Sequence, residues 1–148
     1  MKVLVSACLA GINCRYDGGH KVNKKIKKMV EDGKAVCICP EQLGGLDTPR
    51  KPSEIKDSSG KEVLAGRAKV IRQDGRDLTD CFINGARQAL AIAKKYNIKK
   101  AILKSKSAAC GKGKIYDGSF SNRLIKANGV TCQLLLDNNI KVITEKDI

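Results

Sequence analysis

The sequence predicts an α/β fold in three layers, with helices on both faces of a mainly parallel sheet and one small hairpin-like insertion. Three observations carry this. Four short apolar runs show no polar alternation, as expected of strands buried on both faces. Helical periodicity fills intervals between them, and the densest turn chemistry is confined to one segment, residues 47 to 77.

The first run, "KVLVSA" (2 to 7), is followed by "VNKKIKKMVEDG", where Val22, Ile26, Met29 and Val30 share one helical face and Gly33 supplies a stop. The second run, "AVCIC" (35 to 39), completes a β-α-β unit. A longer helix is expected from Thr79, which can cap it, through Phe82, Ala86, Ala89, Leu90 and Ala93 to "KKYN". It leads into the third run, "KAILK" (100 to 104). A last helix over 130 to 138, with Leu134 and Leu135 inward and Asn138-Asn139 closing it, precedes the fourth run, "KVIT" (141 to 144). Helix and strand in alternation imply right-handed crossovers and a Rossmann-like arrangement. The segment from Asp47 to Asp77 holds "TPRKP", "SSG" and "DG" and reads as a loop followed by the hairpin-like insertion.

A chain of 148 residues is the size of one compact domain, and a single domain over 1–148 is expected. Aromatic residues make up only 3%, so the core must be aliphatic. Twenty-nine Lys and Arg against fifteen Asp and Glu leave a formal charge of +14, which suits a polyanion such as RNA or an anionic small molecule. The alternative is a lysine-rich solvated surface, since the lysines are scattered rather than blocked. "MKVLVSA" is too short an apolar run for a signal peptide and no stretch reaches the length of a membrane span, so a cytoplasmic location is expected. Seven cysteines in such a chain read as reduced thiols, some of them free to act as ligands.

Cys8 follows the first strand, Cys39 ends the second, and "SKSAACGKG" places Cys110 in the loop after the third. Ligand sites in open parallel sheets form outside the carboxyl ends of strands, so these three thiols are expected to converge on one edge. Cys37, Cys81 and Cys132 lie within predicted elements and read as small buried apolar residues. Cys14 shares the Cys8 loop, but spacing does not fix its direction. Several thiolates at one site suggest zinc or an iron-sulfur cluster. Zinc is disfavoured, because the one close pair, Cys37 and Cys39, has strand spacing that sets the two about 7 Å apart.

Three stretches, "SACLAGINCRYDGG", "CPEQLGGLDTPR" and "KSKSAACGKGKIYDGSF", resemble the signature blocks of the thiouracil desulfurase family, in family order and across essentially the whole chain. The resemblance implies a [4Fe-4S] cluster held by three cysteines, with the fourth iron open to the sulfur of a thiolated pyrimidine. The matching ligands are Cys8, Cys39 and Cys110. Cys14 stands where the family does not require cysteine. "SAACG" replaces the family's "SPSCG", which keeps Ser107 and alters the residue before Cys110.

An iron with an open position is a Lewis acid, so water can replace sulfur at the ring carbon and sulfide can leave. Glu41, in "CPE", is the candidate for proton transfer, because burial beside a cluster favours a protonated carboxyl; alternatively it satisfies amides of the Gly44-Gly45 turn. Ser107 is the candidate to hydrogen-bond substrate or water. Asp17 and Asp117 read as turn residues and His20 as a loop hydrogen-bonding residue, while Arg15 and Arg50 could balance cluster charge or contact phosphate. The leading function is non-redox desulfuration of thiouracil, or of 4-thiouridine in tRNA. A non-catalytic cluster carrier or zinc protein that binds RNA is the alternative, with Cys14 as fourth ligand in the cluster case.

Overall fold

A computed structural model describes residues Met1–Ile148. The N-terminal run forms β1 (Val3–Ser6), which passes through one 3-10 turn at Ala7–Ala10 and an extended loop into α1 (Lys24–Glu31) and then β2 (Ala35–Ile38). A single-turn helix α2 (Pro40–Leu43) follows, then β3 (Ser53–Ile55), α3 (Gly60–Leu64) and β4 (Val70–Arg72). The second half holds α4 (Thr79–Lys95), β5 (Lys100–Leu103), a short ribbon of β6 (Ile115–Tyr116) and β7 (Leu124–Ile125), α5 (Val130–Asp137) and β8 (Lys141–Thr144).

Four strands pair in parallel in the order β2-β1-β5-β8. Successive side chains of a strand point to opposite faces, and β1 shows the result: Leu4 packs with Phe82, Ala86, Ala89 and Ala93 of α4 and Leu135 of α5, whereas Val5 packs with Ile26 of α1. The two faces therefore carry separate apolar clusters, which is the three-layer arrangement. The alanine stripe on α4 lets that helix lie close to the sheet, and Phe82, 2% exposed, contributes on the order of 2 kcal/mol by burial.

Local sequence accounts for most boundaries. Asn23 caps α1, its side-chain oxygen accepting from the amides of Lys25 and Ile26 at 3.0 and 3.2 Å. Val22 was expected on the helical face, but it precedes the cap and is exposed. The cap of α4 also differs from expectation. Thr79 is the first helical residue, and the Asp77 carboxylate accepts its amide at 2.9 Å, while the Thr79 hydroxyl accepts the amide of Val70 at 3.0 Å and ties the helix to β4.

The insertion is the antiparallel pair β3–β4 with α3 inside it, so it is larger than a plain hairpin. Neither α2 nor the β6–β7 ribbon was foreseen, because elements this short carry no readable period. No helix is long and apolar enough to cross a membrane.

From β1 the chain moves outward to β2, then returns past β1 to β5 on its other side. The strand order reverses there. The crevice outside the carboxyl ends of β1 and β5 is a topological switch point, where open α/β sheets place their ligands.

Candidate active site

The crevice is a cavity of about 510 Å³, and its wall includes all four of Cys8, Cys14, Cys39 and Cys110. Each thiol arrives from a different local device. Cys8 sits in the 3-10 turn that ends β1, closed by Gly11 at φ 92°, a left-handed conformation that glycine adopts freely. Cys39 is the N-cap of α2. That helix is held against α4 by glycines on both sides: a Cβ on Gly44 would strike the Cys81 carbonyl, and one on Gly85 would strike the Pro40 carbonyl.

Cys110 lies in a loop locked to the first turn of α5. The carbonyl of Ala108 accepts from Val130 and that of Ala109 from Thr131, both at 2.9 Å, so the helix's first free amides hold the thiol loop. A Cβ on Gly129 would come within 2.6 Å of both carbonyls.

Sequence spacing left Cys14 undirected, and the structure places it 2% exposed in the same cavity wall. The Cys39 thiol lies 3.7 Å from the Cys14 carbonyl. Contact with Cys39 lowers the Cys14 thiol, but contact with Cys8 and burial outweigh it and raise the group to about 11. Contact with Cys14 and burial likewise push Cys39 well above the ordinary thiol range. Burial pushes Cys110 up to about 12 against the opposing contacts of Ser6 and Ser107. Cys14 and Cys110 are buried and Cys39 is half-buried, and each would bind a soft metal centre by loss of its thiol proton.

The cavity wall offers four sulfur donors, the soft ligand set that an iron-sulfur cluster requires.

Glu41 does not meet the amides of the Gly44-Gly45 turn. Its Oε1 lies 3.1 Å from Arg50 Nε, in an ion pair whose side chains are 6% and 22% exposed. Arg50 also donates through Nη2 to the Cys14 carbonyl at 2.9 Å, and through Nη1 to the Asp47 carbonyl at 3.0 Å and the Thr48 hydroxyl at 2.9 Å. The guanidinium thus clamps three segments and pairs with Glu41 through a charge-assisted contact.

Ser107 accepts the Cys110 amide at 2.7 Å, which shapes the thiol loop, and it also lines the cavity. Ser6, 3% exposed, accepts the amide of Lys104 at 2.9 Å and joins the ends of β1 and β5. The turn readings of the other polar residues agree with their contacts. Asp17 accepts the Gly19 amide and Asp117 the Ser119 amide, each at 2.9 Å, and His20 Nδ1 accepts the Val22 amide at 3.2 Å. Arg15 lines the cavity with its Nε buried and without a hydrogen-bond partner. Cys132 is buried in the core, while Cys37 and Cys81 are only half-buried.

Residues 3–147 match the 2-thiouracil desulfurase family. The chain belongs to that family. The chain is 47% identical to the uncharacterized protein YbbK of Bacillus subtilis (strain 168) over 146 residues that cover 99% of this chain and 97% of YbbK. The solved structure of TudS, described as a [4Fe-4S]-dependent thiouracil desulfidase, superposes with a TM-score of 0.87 at 37% identity, covering 99% of this chain and 92% of TudS.

The cavity wall also includes residues that sequence reasoning passed over, Ser6, Glu54 and Asn122, beside the aromatic rings of Tyr116 and Phe120. Ser6 was within reach of the strand-end argument, one residue before the turn that carries Cys8. Glu54 gave no local signal, because its partners lie 64 and 66 residues away.

Proposed function

We propose that this chain, acting as one cytoplasmic domain, desulfurates thiouracil, as the free base or as 4-thiouridine in tRNA, with a [4Fe-4S] cluster held by Cys8, Cys39 and Cys110. The observation that carries the reading is the convergence of thiols from the ends of three parallel strands on one cavity, in a chain similar to TudS over 99% of its length. In balance, thiocarbonyl and water give carbonyl and hydrogen sulfide, so no electron donor is required.

When bound, the cluster supplies Lewis acidity at an iron lacking a protein ligand, which polarises the carbon-sulfur bond toward water. The protein supplies the rest. Glu41, paired with Arg50 through Oε1, takes a proton from the attacking water at its free Oε2. The Ser107 hydroxyl accepts from the Cys110 amide and keeps its own proton to donate to substrate or water. Arg15, Lys21, Lys104 and Lys106 line the wall and offset the charge of three thiolates and any departing sulfide. The formal charge of +14 supports a polyanionic form of the substrate such as tRNA.

The position of Cys14 favours a second reading. If it ligates the fourth iron, no coordination position is open, and the chain carries a cluster without desulfurating. Anaerobic reconstitution followed by incubation with 2-thiouracil and with 4-thiouridine-containing tRNA decides between them. Sulfide from either substrate supports the desulfurase, and a loaded cluster that releases none from both supports the carrier.

A further inference from the structure

Glu54 lies in β3, at the cavity wall, and is 9% exposed. Its Oε1 accepts two backbone amides from the turn after β6, Gly118 at 2.9 Å and Phe120 at 3.2 Å. Its Oε2 has no partner in the protein, and no cationic side chain pairs with it. A carboxylate in the cavity wall with one oxygen fully used and the other open to the cavity offers that second oxygen as an acceptor to a ligand N–H.

The surrounding backbone is unusual in the same place. Phe120, Asn122 and Lys106 all line the cavity, and all three hold left-handed φ values of 57°, 63° and 73° that non-glycine residues seldom adopt. Such conformations persist where the surroundings impose them, and they gather at ligand sites. Gly118, at φ 96°, permits the close approach to β3, since a Cβ there would meet Lys56 Cα at 2.6 Å and the Ile55 carbonyl at 2.7 Å. The turn is pressed onto β3 so that Glu54 meets its amides, and Tyr116 and Phe120 bring aromatic surface to the same wall.

We infer that Glu54 is a specificity-determining residue whose Oε2 accepts a ring N–H of the pyrimidine, while the Phe120 turn that Oε1 anchors forms one wall of the base pocket. This rests on the desulfurase reading. It deepens that reading by assigning the pyrimidine N–H edge to β3, away from the thiols. A base lacking that N–H leaves the acceptor unmatched, and the loss of a hydrogen bond to a charged group is worth about a 10- to 100-fold change in affinity.

Uracil keeps the N–H edge of thiouracil and does not turn over, so its binding reads this contact apart from the reaction. Cluster-loaded wild-type protein and Glu54→Gln are titrated calorimetrically with uracil, 1-methyluracil and 3-methyluracil. In wild type one of the methylated bases is expected to bind about 10- to 100-fold more weakly than uracil. In Glu54→Gln the amide oxygen keeps the Gly118 and Phe120 contacts and the NH₂ faces the base, so uracil weakens and the discrimination collapses. Equal binding of all three bases by wild type, absence of uracil binding, or discrimination that survives in Glu54→Gln overturns the inference. If the variant does not fold, the wild-type comparison alone decides. Failure of the desulfurase reading shows separately, as a loaded protein that releases no sulfide.

Discussion

Arg50 and Glu41 form a largely buried ion pair, Nε to Oε1 at 3.1 Å, and the same guanidinium holds the Cys14 carbonyl at 2.9 Å. The candidate proton-transfer group and the loop between Cys8 and Arg15 are thereby fixed to one another through a residue that does not line up with either in sequence.

Replacing Arg50 with Met removes four hydrogen bonds and leaves Glu41 without its partner. Breaking such a pair on one side costs about 3 kcal/mol. The urea midpoint of Arg50→Met is expected to fall accordingly. An unchanged midpoint would show that the clamp is not structural.

Glu41→Gln keeps shape and removes the proton acceptor. The variant is expected to load a normal cluster by absorbance and to release sulfide from thiouracil at least ~100-fold more slowly, the scale of a lost acid or base. Turnover near wild type would pass proton transfer to Ser107 or to water.

Cys14→Ser is expected to retain iron content and cluster absorbance, and Cys39→Ser to lose both. All four thiols share one wall, so the comparison separates a three-cysteine from a four-cysteine site. Equal loss from the two variants would establish Cys14 as a ligand and favour the carrier.

Thr131 is wholly buried in the first turn of α5, and its hydroxyl has no hydrogen-bond partner. Valine has nearly the same shape without the desolvated hydroxyl, so Thr131→Val should raise stability by about 1 kcal/mol. A lowered urea midpoint would mean that the hydroxyl is satisfied in solution.

The layers of the fold were legible because the four apolar runs and the α4 stripe of Phe82, Ala86, Ala89 and Ala93 obey simple periods. Strand ends then located Cys8, Cys39 and Cys110 together, since parallel topology leaves one edge for ligands. What stayed hidden depends on contacts that the local pattern does not announce. Cys14 takes its direction from a loop pinned by Arg50, 36 residues away. Glu41 was read as a buried acid because nothing adjacent to "CPE" announces a guanidinium partner. Thr79 looked like a cap because Thr is one, yet Asp77 two residues earlier supplies the oxygen and frees Thr79 to bond β4. The left-handed turn at Phe120 has no residue signature, although Asn122 beyond it is a type that adopts this conformation readily.

Whether the cavity at the switch point hydrolyses a thiocarbonyl without redox chemistry is settled most directly by following both products. Reconstituted wild-type protein should be incubated anaerobically with 2-thiouracil in isotopically labelled water, with no reductant present, and uracil and sulfide quantified together. Equal amounts of the two are expected, with the labelled oxygen on the former thiocarbonyl carbon of uracil. A loaded cluster that forms neither product, or uracil without the label, would contradict it.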